Sequence, residues 1–326
     1  MAPRFEPQKD LVDLKGKVVI VTGANRQSGL GYGTVRHLAR AGAKVYLAAR
    51  NKEQSLESIE SLKTELGLGT QDGNGGEVLF LKLDLGDPRS VKKVAEKFMS
   101  KETRLDVLVN NAAMVFAPFE KTEDGISKIV VTNLISPFVL TQTLLPLMAK
   151  TAQEENSDVR IVNLTSLTHW IVPTTKKLDT VDDLNQEFWG RGPMAKFTRY
   201  AHTKLLIILW SRALQKHLNT SPTTQHITAI TLDPGSVDTF TNRSQLSWLW
   251  QPLLRLIMTA PDLEHGTYPM AFAAAGKAIG EDKEKYAGAY VNEKCELGTP
   301  SKDGRSEKLA GELWELVEKI VADMGI

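Results

Sequence analysis

Residues 17–42 read KVVIVTGANRQSGLGYGTVRHLARAG, which is the pattern of a buried strand, a glycine-rich turn and a helix. The run 18–21 is short, apolar and β-branched, as in strands buried on both faces of a parallel sheet. Gly23, Gly29 and Gly31 follow it, and apolar residues then recur at helical spacing. The free N–H groups and the dipole of a helix that begins at such a turn bind a pyrophosphate. The segment therefore predicts a dinucleotide-binding turn, with an ordinary strand–turn–helix as the alternative.

Strand and helix signals alternate along the rest of the chain, which predicts a parallel sheet with helices on both faces. The predicted strands are 18–21, 45–48, 78–81, 107–109, 160–164, 227–232 and 288–291. Helices are expected around 122–149, 200–210 and 309–320, and Asn51 and Asp87 are expected to cap two others. We predict an α/β fold, a single doubly wound Rossmann-type domain over 1–326 with about seven parallel strands. Residues 1–15 form its predicted N-terminal arm.

The composition is that of an ordinary globular protein, because 42% of the 326 residues are hydrophobic and 24% are charged. A net charge of +1 gives no reason to expect a nucleic-acid partner. The single cysteine excludes an internal disulfide and fits a reducing compartment, so we expect a cytoplasmic protein. The N-terminal residues lack the apolar region of a secretory signal. No apolar run approaches the roughly 20 residues of a membrane span, so we expect no transmembrane segment.

Three residues carry the predicted chemistry, Ser166, Tyr200 and Lys204. Reduction of a ketone builds an alkoxide that needs a proton near neutral pH, whereas free tyrosine has a pKa near 10. Lys204 lies one helical turn after Tyr200, and an ammonium about 4 Å away supplies about the 4 kcal/mol that would bring this pKa toward 7. Ser166, at the end of a predicted strand, can hold the carbonyl oxygen. The alternative is a core tyrosine beside a solvated lysine.

His169 and His202 lie near these residues in the sequence and could act as bases. A lone histidine is more often a surface residue or a hydrogen-bonded core residue, so we do not assign them catalytic roles. No spacing of histidine, cysteine and carboxylate residues indicates a metal site.

Several motifs occur in the order typical of one enzyme family. They are the T-G…G-x-G turn, Asp84-Leu85, N-N-A-A at 110–113, Asn133, Ser166, Y-A-H-T-K at 200–204 and P-G-S-V-D-T at 234–239. Over about residues 15–239 the chain resembles the short-chain dehydrogenase/reductases, and D-D-L-N at 182–185 with Leu205 resembles their retinol-dehydrogenase-like branch. The resemblance implies that Asn133 joins the catalytic residues and fixes a water that relays protons to Lys204.

The end of the second predicted strand indicates NADP(H) as the cofactor. Ala48-Ala49-Arg50 offers no carboxylate for the ribose hydroxyls of NAD, whereas Arg50 can bind a 2′-phosphate. Arg26 can add a second cation, with a solvated loop charge as the alternative. The predicted cofactor contacts are Gly23, Asn25, Arg26, Ser28, Gly29, Leu30, Gly31, Arg50, Asp84, Leu85, Asn111, Tyr200, Lys204, Val237 and Thr239.

Two spacings depart from the family pattern. Five residues separate Gly23 from Gly29 where three are usual, which leaves open which loop atoms contact phosphate. Ser166 and Tyr200 are also unusually far apart, so we expect 167–199 to cover the site. The segment 236–259 is rich in apolar residues and is the second predicted substrate cover. It indicates a lipophilic substrate, with a peripheral membrane contact and plain packing as alternatives.

Together these patterns predict an oxidoreductase that transfers a hydride between NADP(H) and an apolar small molecule. One alternative keeps the fold and cofactor site for non-redox chemistry such as dehydration, isomerisation or cyclisation. Another is a non-catalytic dinucleotide-sensing regulator, which would have no reason to keep Ser166, Tyr200 and Lys204. The helices around 122–149 and 200–218 look apolar on several sides. The family resemblance implies that these two helices pair across a two-fold axis, so we predict a homodimer. The alternative is that the N-terminal arm and the C-terminal helix cover them.

Overall fold

A computed structural model describes residues 5–69, 76–188, 192–235 and 263–326. Within these residues seven strands form one sheet in the order β3-β2-β1-β4-β5-β6-β7, and all neighbours pair in parallel. The strands are β1 (Val18–Thr22), β2 (Lys44–Ala49), β3 (Glu77–Lys82), β4 (Val107–Asn110), β5 (Val159–Leu164), β6 (Ile227–Leu232) and β7 (Tyr290–Val291). The strand order reverses between β1 and β4, which opens a ligand crevice at their carboxyl ends.

Helices cover both faces of this sheet. In the described residues they are α1 (Pro7–Asp10), α2 (Leu30–Arg40), α3 (Lys52–Leu66), α4 (Pro88–Met99), α5 (Lys128–Val130), α6 (Ser136–Ala152), α7 (Val181–Leu184), α8 (Pro193–Leu218), α9 (Leu263–Ala275), α10 (Lys277–Glu281), α11 (Lys283–Tyr286) and α12 (Glu307–Asp323). One apolar core lies between the sheet and α2, α3 and α9, and a second lies beneath α4, α6, α8 and α12. The predicted doubly wound Rossmann-type α/β fold is confirmed.

The predicted strands and helix caps are found close to their predicted positions. Strand β6 has the predicted bounds, and β7 is shorter than predicted because only two of its residues pair with β6. Asn51 accepts a hydrogen bond from the N–H of Gln54 at 3.0 Å, and Asp87 accepts one from the N–H of Arg89 at 3.0 Å. Each cap occupies a donor that the first helical turn would otherwise leave unpaired.

The helix predicted over 122–149 begins later than predicted. Residues 121–127 form a turn in which Gly125 has a φ of +77°, and the helical stretch starts at Lys128. It passes through a π-helical turn, Val131–Ile135, before α6. Lys128–Ala152 is, among the described residues, the one helical stretch long and apolar enough to cross a membrane, although 72% of its most apolar window is buried. Such burial is what a core helix shows.

The apolar sides of α6 and α8 are partly covered within the chain. The Trp314 ring of α12 lies 5.2 Å from that of Phe138 on α6 and stacks on His217 of α8 at 3.8 Å. Phe5 in the N-terminal arm instead packs against Phe272 of α9, on the other face of the sheet. The C-terminal helix therefore covers part of these sides, as the alternative expected, whereas Phe5 of the arm packs on the opposite face of the sheet. A homodimer stays a prediction.

Candidate active site

The glycine turn after β1 packs closely against the end of β4. Gly23 has a φ of +69°, and a Cβ on it would lie 2.8 Å from the Cα of Ala112. A Cβ on Gly31 would lie 2.6 Å from Nδ2 of Asn111. That same Nδ2 donates to the carbonyl of Thr22 at 2.6 Å. Both glycines are therefore required by packing across the crevice, and Asn111 fixes the turn.

The lengthened loop ends at the N-terminus of α2. The N–H of Gly29 donates to the carbonyl of Arg26 at 2.8 Å, which closes the inserted residues into a turn. Asn25 donates to Gln54, so α3 anchors the start of the loop. In the described part of the chain, no side chain caps the helix that starts at Leu30. Its first N–H groups can therefore bind the phosphates of a dinucleotide.

The other predicted cofactor residues lie around this crevice. Arg26, Ser28 and Arg50 are exposed, and Arg50 follows directly on β2. The exit of β3 is fixed, because Asp84 accepts from the N–H of Gly86 at 2.9 Å and the Leu85 carbonyl accepts from a serine hydroxyl at 2.8 Å. Val237, Thr239 and the predicted cover 236–259 lie outside the described residues.

Tyr200 and Lys204 lie on the same side of α8. The Nζ atom of Lys204 is 5.4 Å from the centroid of the Tyr200 ring, and it donates to the carbonyl of Leu164 at 2.7 Å. Leu164 is the last residue of β5, and Ser166 follows two positions later. The structure thus brings the tyrosine, the ammonium and the strand end that carries the serine together.

Burial strongly perturbs the charged groups here. Lys204 is 2% exposed, and this burial lowers its pKa to about 7, a shift that the Asp233 carboxylate opposes. Asp233 follows β6 and is itself fully buried, which raises its pKa. Hydrogen bonds from Gly235 and Tyr290 favour its ionised form. Shifts of this kind are typical of catalytic sites.

Asn133 lies in the π-helical turn and is buried. Its Oδ1 accepts from the N–H of Met114 at 2.7 Å, and its Nδ2 donates to the Met114 carbonyl and to the Thr203 hydroxyl, each at 3.0 Å. The amide therefore holds the chain beyond β4 against the residue before Lys204. The water relay expected of Asn133 stays a prediction.

The comparisons with known proteins identify the family of this chain. A family model described as short chain dehydrogenase matches residues 17–172. A short-chain dehydrogenase/reductase of Armillaria gallica is 38% identical over 98% of this chain and 97% of its own length. The chain belongs to the short-chain dehydrogenase/reductase family.

Other members of the family and solved structures are similar over most of the chain. Retinol dehydrogenase 11 of Mus musculus is 32% identical over 94% of this chain and 86% of its own length. An uncharacterized protein from Mycobacterium Paratuberculosis has a TM-score of 0.71 and 25% identity, with 98% of both chains covered. An NADPH-bound carbonyl reductase from chicken fatty liver has a TM-score of 0.56 and 22% identity, with 88% and 100% covered. At that identity it shows the fold alone.

Both histidines near the site of this short-chain dehydrogenase/reductase are core residues, as predicted. Burial lowers the pKa of His202 to about 4, and burial also lowers that of His169. Both rings are therefore neutral near pH 7. Among the described residues no group of three histidine, cysteine or carboxylate side chains could hold a metal ion.

Sequence reasoning missed three residues that shape this site. The Thr22 hydroxyl accepts from the N–H groups of Asn111 and Ala112, each at 3.0 Å, and so joins β1 to β4. Asp233 and Tyr290 pair behind the turn that carries Ser166. Only Asp233 had a usable signal, a carboxylate placed directly after the buried strand ITAITL.

Proposed function

We propose that the protein transfers a hydride between NADP(H) and the carbonyl or alcohol carbon of an apolar small molecule. Tyr200 gives a proton to the substrate oxygen in reduction and takes it back in oxidation. One observation carries the proposal: a buried lysine ammonium lies 5.4 Å from the tyrosine ring and is bonded to the strand end before Ser166. An ammonium at that distance in a site of low dielectric stabilises the tyrosinate.

Each remaining residue has a role that follows from its position. The nicotinamide cofactor, when bound, supplies or accepts the hydride. The N-terminus of α2 and Arg26 hold its phosphates, and Asn111 keeps the glycine turn in place. Ser166 donates a hydrogen bond to the substrate oxygen, which holds the reacting carbon and stabilises the developing charge. Asn133 fixes the backbone beside Lys204, which keeps the ammonium directed at the tyrosine.

Arg50 supports NADP(H) rather than NAD(H). It is exposed directly after β2, where NAD-specific sites carry an acid for the ribose hydroxyls, and the two residues before it are buried alanines. A guanidinium forms a paired, charge-assisted contact with a 2′-phosphate. The carbonyl reductase of similar fold is an NADPH-bound protein.

The side chains around the catalytic residues support an apolar substrate. Phe197 lies one turn before Tyr200 on α8 and stacks on Phe116 at 5.8 Å. The 3₁₀ turn after Ser166 exposes large apolar side chains to solvent: Leu167, Trp170 and Ile171. Pockets for apolar ligands combine such surfaces with a few polar groups. A related protein is named for retinol, which is lipophilic.

The test is to mix the purified protein with NADPH and matched pairs of apolar and polar carbonyl compounds. Loss of the nicotinamide absorbance should occur with apolar aldehydes or ketones, be slower with their polar analogues, and be slower again with NADH. Conversion of the compounds without NADPH oxidation would favour the non-redox alternative. NADPH binding with no conversion of any compound would favour the sensing alternative.

The composition of the chain bears on its cellular setting and partners. A net charge of +1 and a single cysteine favour a cytoplasmic protein with a small-molecule partner and no nucleic-acid partner.

The sheet runs from residue 18 to residue 291, which favours one domain over 1–326. We also propose a homodimer. Light scattering that shows only the 36.0 kDa species at micromolar concentration would contradict it.

A further inference from the structure

The turn that carries Ser166 is tied to a distant part of the chain by His169. The N–H of Ser301 donates to Nε2 of this ring at 3.1 Å, so Nε2 is the unprotonated nitrogen. Nδ1 therefore carries the proton and donates it to the carbonyl of Ser166 at 2.7 Å. Because both ring nitrogens are engaged and the ring is buried, neutral His169 fixes the backbone of Ser166.

A buried carboxylate holds the other side of the same turn. Asp233 accepts hydrogen bonds from the N–H of Gly235 at 3.0 Å and from the Tyr290 hydroxyl at 3.1 Å. The backbone of Leu167, the residue next to Ser166, also favours the ionised form of Asp233 and so lowers its pKa. Two hydrogen bonds therefore hold a carboxylate that has no exposure to water.

Tyr290 connects these two anchors. Its hydroxyl donates to Asp233, and its ring lies edge-on to His169 with the centroids 5.6 Å apart. Burial and the adjacent carboxylate raise the pKa of Tyr290, so the residue remains a phenol that can donate. It lies on β7, whose pairing with β6 sets it beside Asp233.

We propose, on the basis of the proposed function, that Asp233 is a positioning residue that acts through Tyr290 and His169 to aim the Ser166 hydroxyl at the substrate oxygen. The turn needs such support, since it is a short 3₁₀ segment whose Trp170 is 54% exposed. A hydrogen-bond donor contributes to catalysis only when held within about 0.5 Å of its productive position. The Asp233 charge also opposes the loss of the Lys204 proton.

The test is a pair of double-mutant cycles. Asp233→Asn removes the charge of the carboxylate, and Tyr290→Phe removes only the hydroxyl. Each change is made in the parent, where Ser166 is present, and again in the Ser166→Ala variant. With Ser166 present, kcat for an accepted carbonyl should fall about 10-fold or more, as for other residues that orient a catalytic group. The Kd of NADPH should stay near the parent value. In the Ser166→Ala background Tyr290→Phe should not lower kcat further, because it acts through that serine, and Asp233→Asn should keep only the smaller loss that comes from its charge near Lys204.

Thr231→Val is the matched control. Thr231 lies on β6, two residues before Asp233, and is buried. Its hydroxyl has no partner in the described part of the chain, so its loss should leave kcat unchanged. Parent-like kcat in Asp233→Asn and Tyr290→Phe, or losses that add fully to that of Ser166→Ala, would overturn the inference. If Asp233→Asn does not fold, the Tyr290→Phe cycle decides. A Ser166→Ala variant with parent kcat would instead overturn the proposed mechanism, and this inference with it.

Discussion

The two halves of the sheet's carboxyl edge are built differently. At the ends of β1 and β2, Arg26 and Arg50 lie in water around an uncapped helix N-terminus. At the ends of β5 and β6, Lys204 and Asp233 are buried and hydrogen-bonded to the chain. The first half suits a negatively charged ligand that carries phosphate groups. The second half keeps its charges out of water, with Lys204 near the Tyr200 ring and Asp233 bonded to the Tyr290 hydroxyl.

The largest effect is expected in the buried half, from Tyr200→Phe. The change keeps the ring and removes the proton donor, so turnover should fall about 10²–10⁴-fold, the contribution of a positioned general acid. NADPH affinity and Tm should change much less, because a hydrogen bond contributes about 1 kcal/mol. Steady-state reduction beside an NADPH titration measures both. Tyr32→Phe, which also removes one bonded hydroxyl, is the control. Turnover of Tyr200→Phe near the parent rate would refute its role.

The next effect is expected in the exposed half, from Arg50→Ala. Loss of a hydrogen bond to a charged group should weaken NADPH binding by about 1.5–3 kcal/mol and leave NADH binding nearly unchanged. Titration of both cofactors gives the ratio directly. Lys52→Ala, which removes a neighbouring exposed cation, should weaken NADPH binding much less. Equal losses for NADPH and NADH in Arg50→Ala would show that this half does not select the 2′-phosphate.

A smaller effect is a pH dependence that comes from Lys204. Burial lowers its pKa from the ordinary 10.5 to about 7 in the folded chain. Between these values the unfolded chain binds a proton that the folded chain does not, so the free energy of unfolding should rise by about 1.4 kcal/mol per pH unit. Denaturation of the cofactor-free protein above pH 7 should show this rise in the parent and less of it in Lys204→Met. Identical slopes would mean that the ammonium is not buried.

The smallest effect is expected from His202, beside Tyr200 on α8. Burial lowers the pKa of His202 from 6.5 to about 4. The contribution of the neutral ring to the free energy of unfolding is therefore complete above pH 6.5 and is lost as the pH falls toward 4. His202→Gln should weaken the drop in Tm over that range. His226→Gln, at an exposed position, should not. A drop unchanged in His202→Gln would place the acid sensitivity elsewhere.

The fold could be predicted from the sequence because its signals are local. Each parallel strand is a short apolar run, and Asn51 and Asp87 cap helices within three residues of themselves. The start of the helix predicted over 122–149 was wrong because Thr122, Glu123 and Asp124 are residue types typical of a first helical turn, whereas here they lead into a turn at Gly125. The π-helical turn at Val131–Ile135 could not be predicted either, because it does not change the spacing of the apolar residues.

Only part of the candidate site could be predicted from the sequence. Ser166 follows a strand, and Tyr200 and Lys204 lie one turn apart, so each has a local signal. The bond between Asp233 and Tyr290 instead joins residues that are 57 positions apart, and it exists only because β7 pairs with β6. Positions that depend on such pairings cannot be inferred from one stretch of sequence.

The most direct test of the central claim follows the hydride itself. NADPH that carries deuterium on the reactive face of the nicotinamide is incubated with the protein and an accepted apolar ketone, and the alcohol is analysed by mass spectrometry. Direct transfer predicts one deuterium on the carbinol carbon, whether the solvent is H₂O or D₂O. An alcohol that takes that hydrogen from solvent, or a product that forms without oxidation of NADPH, would contradict it.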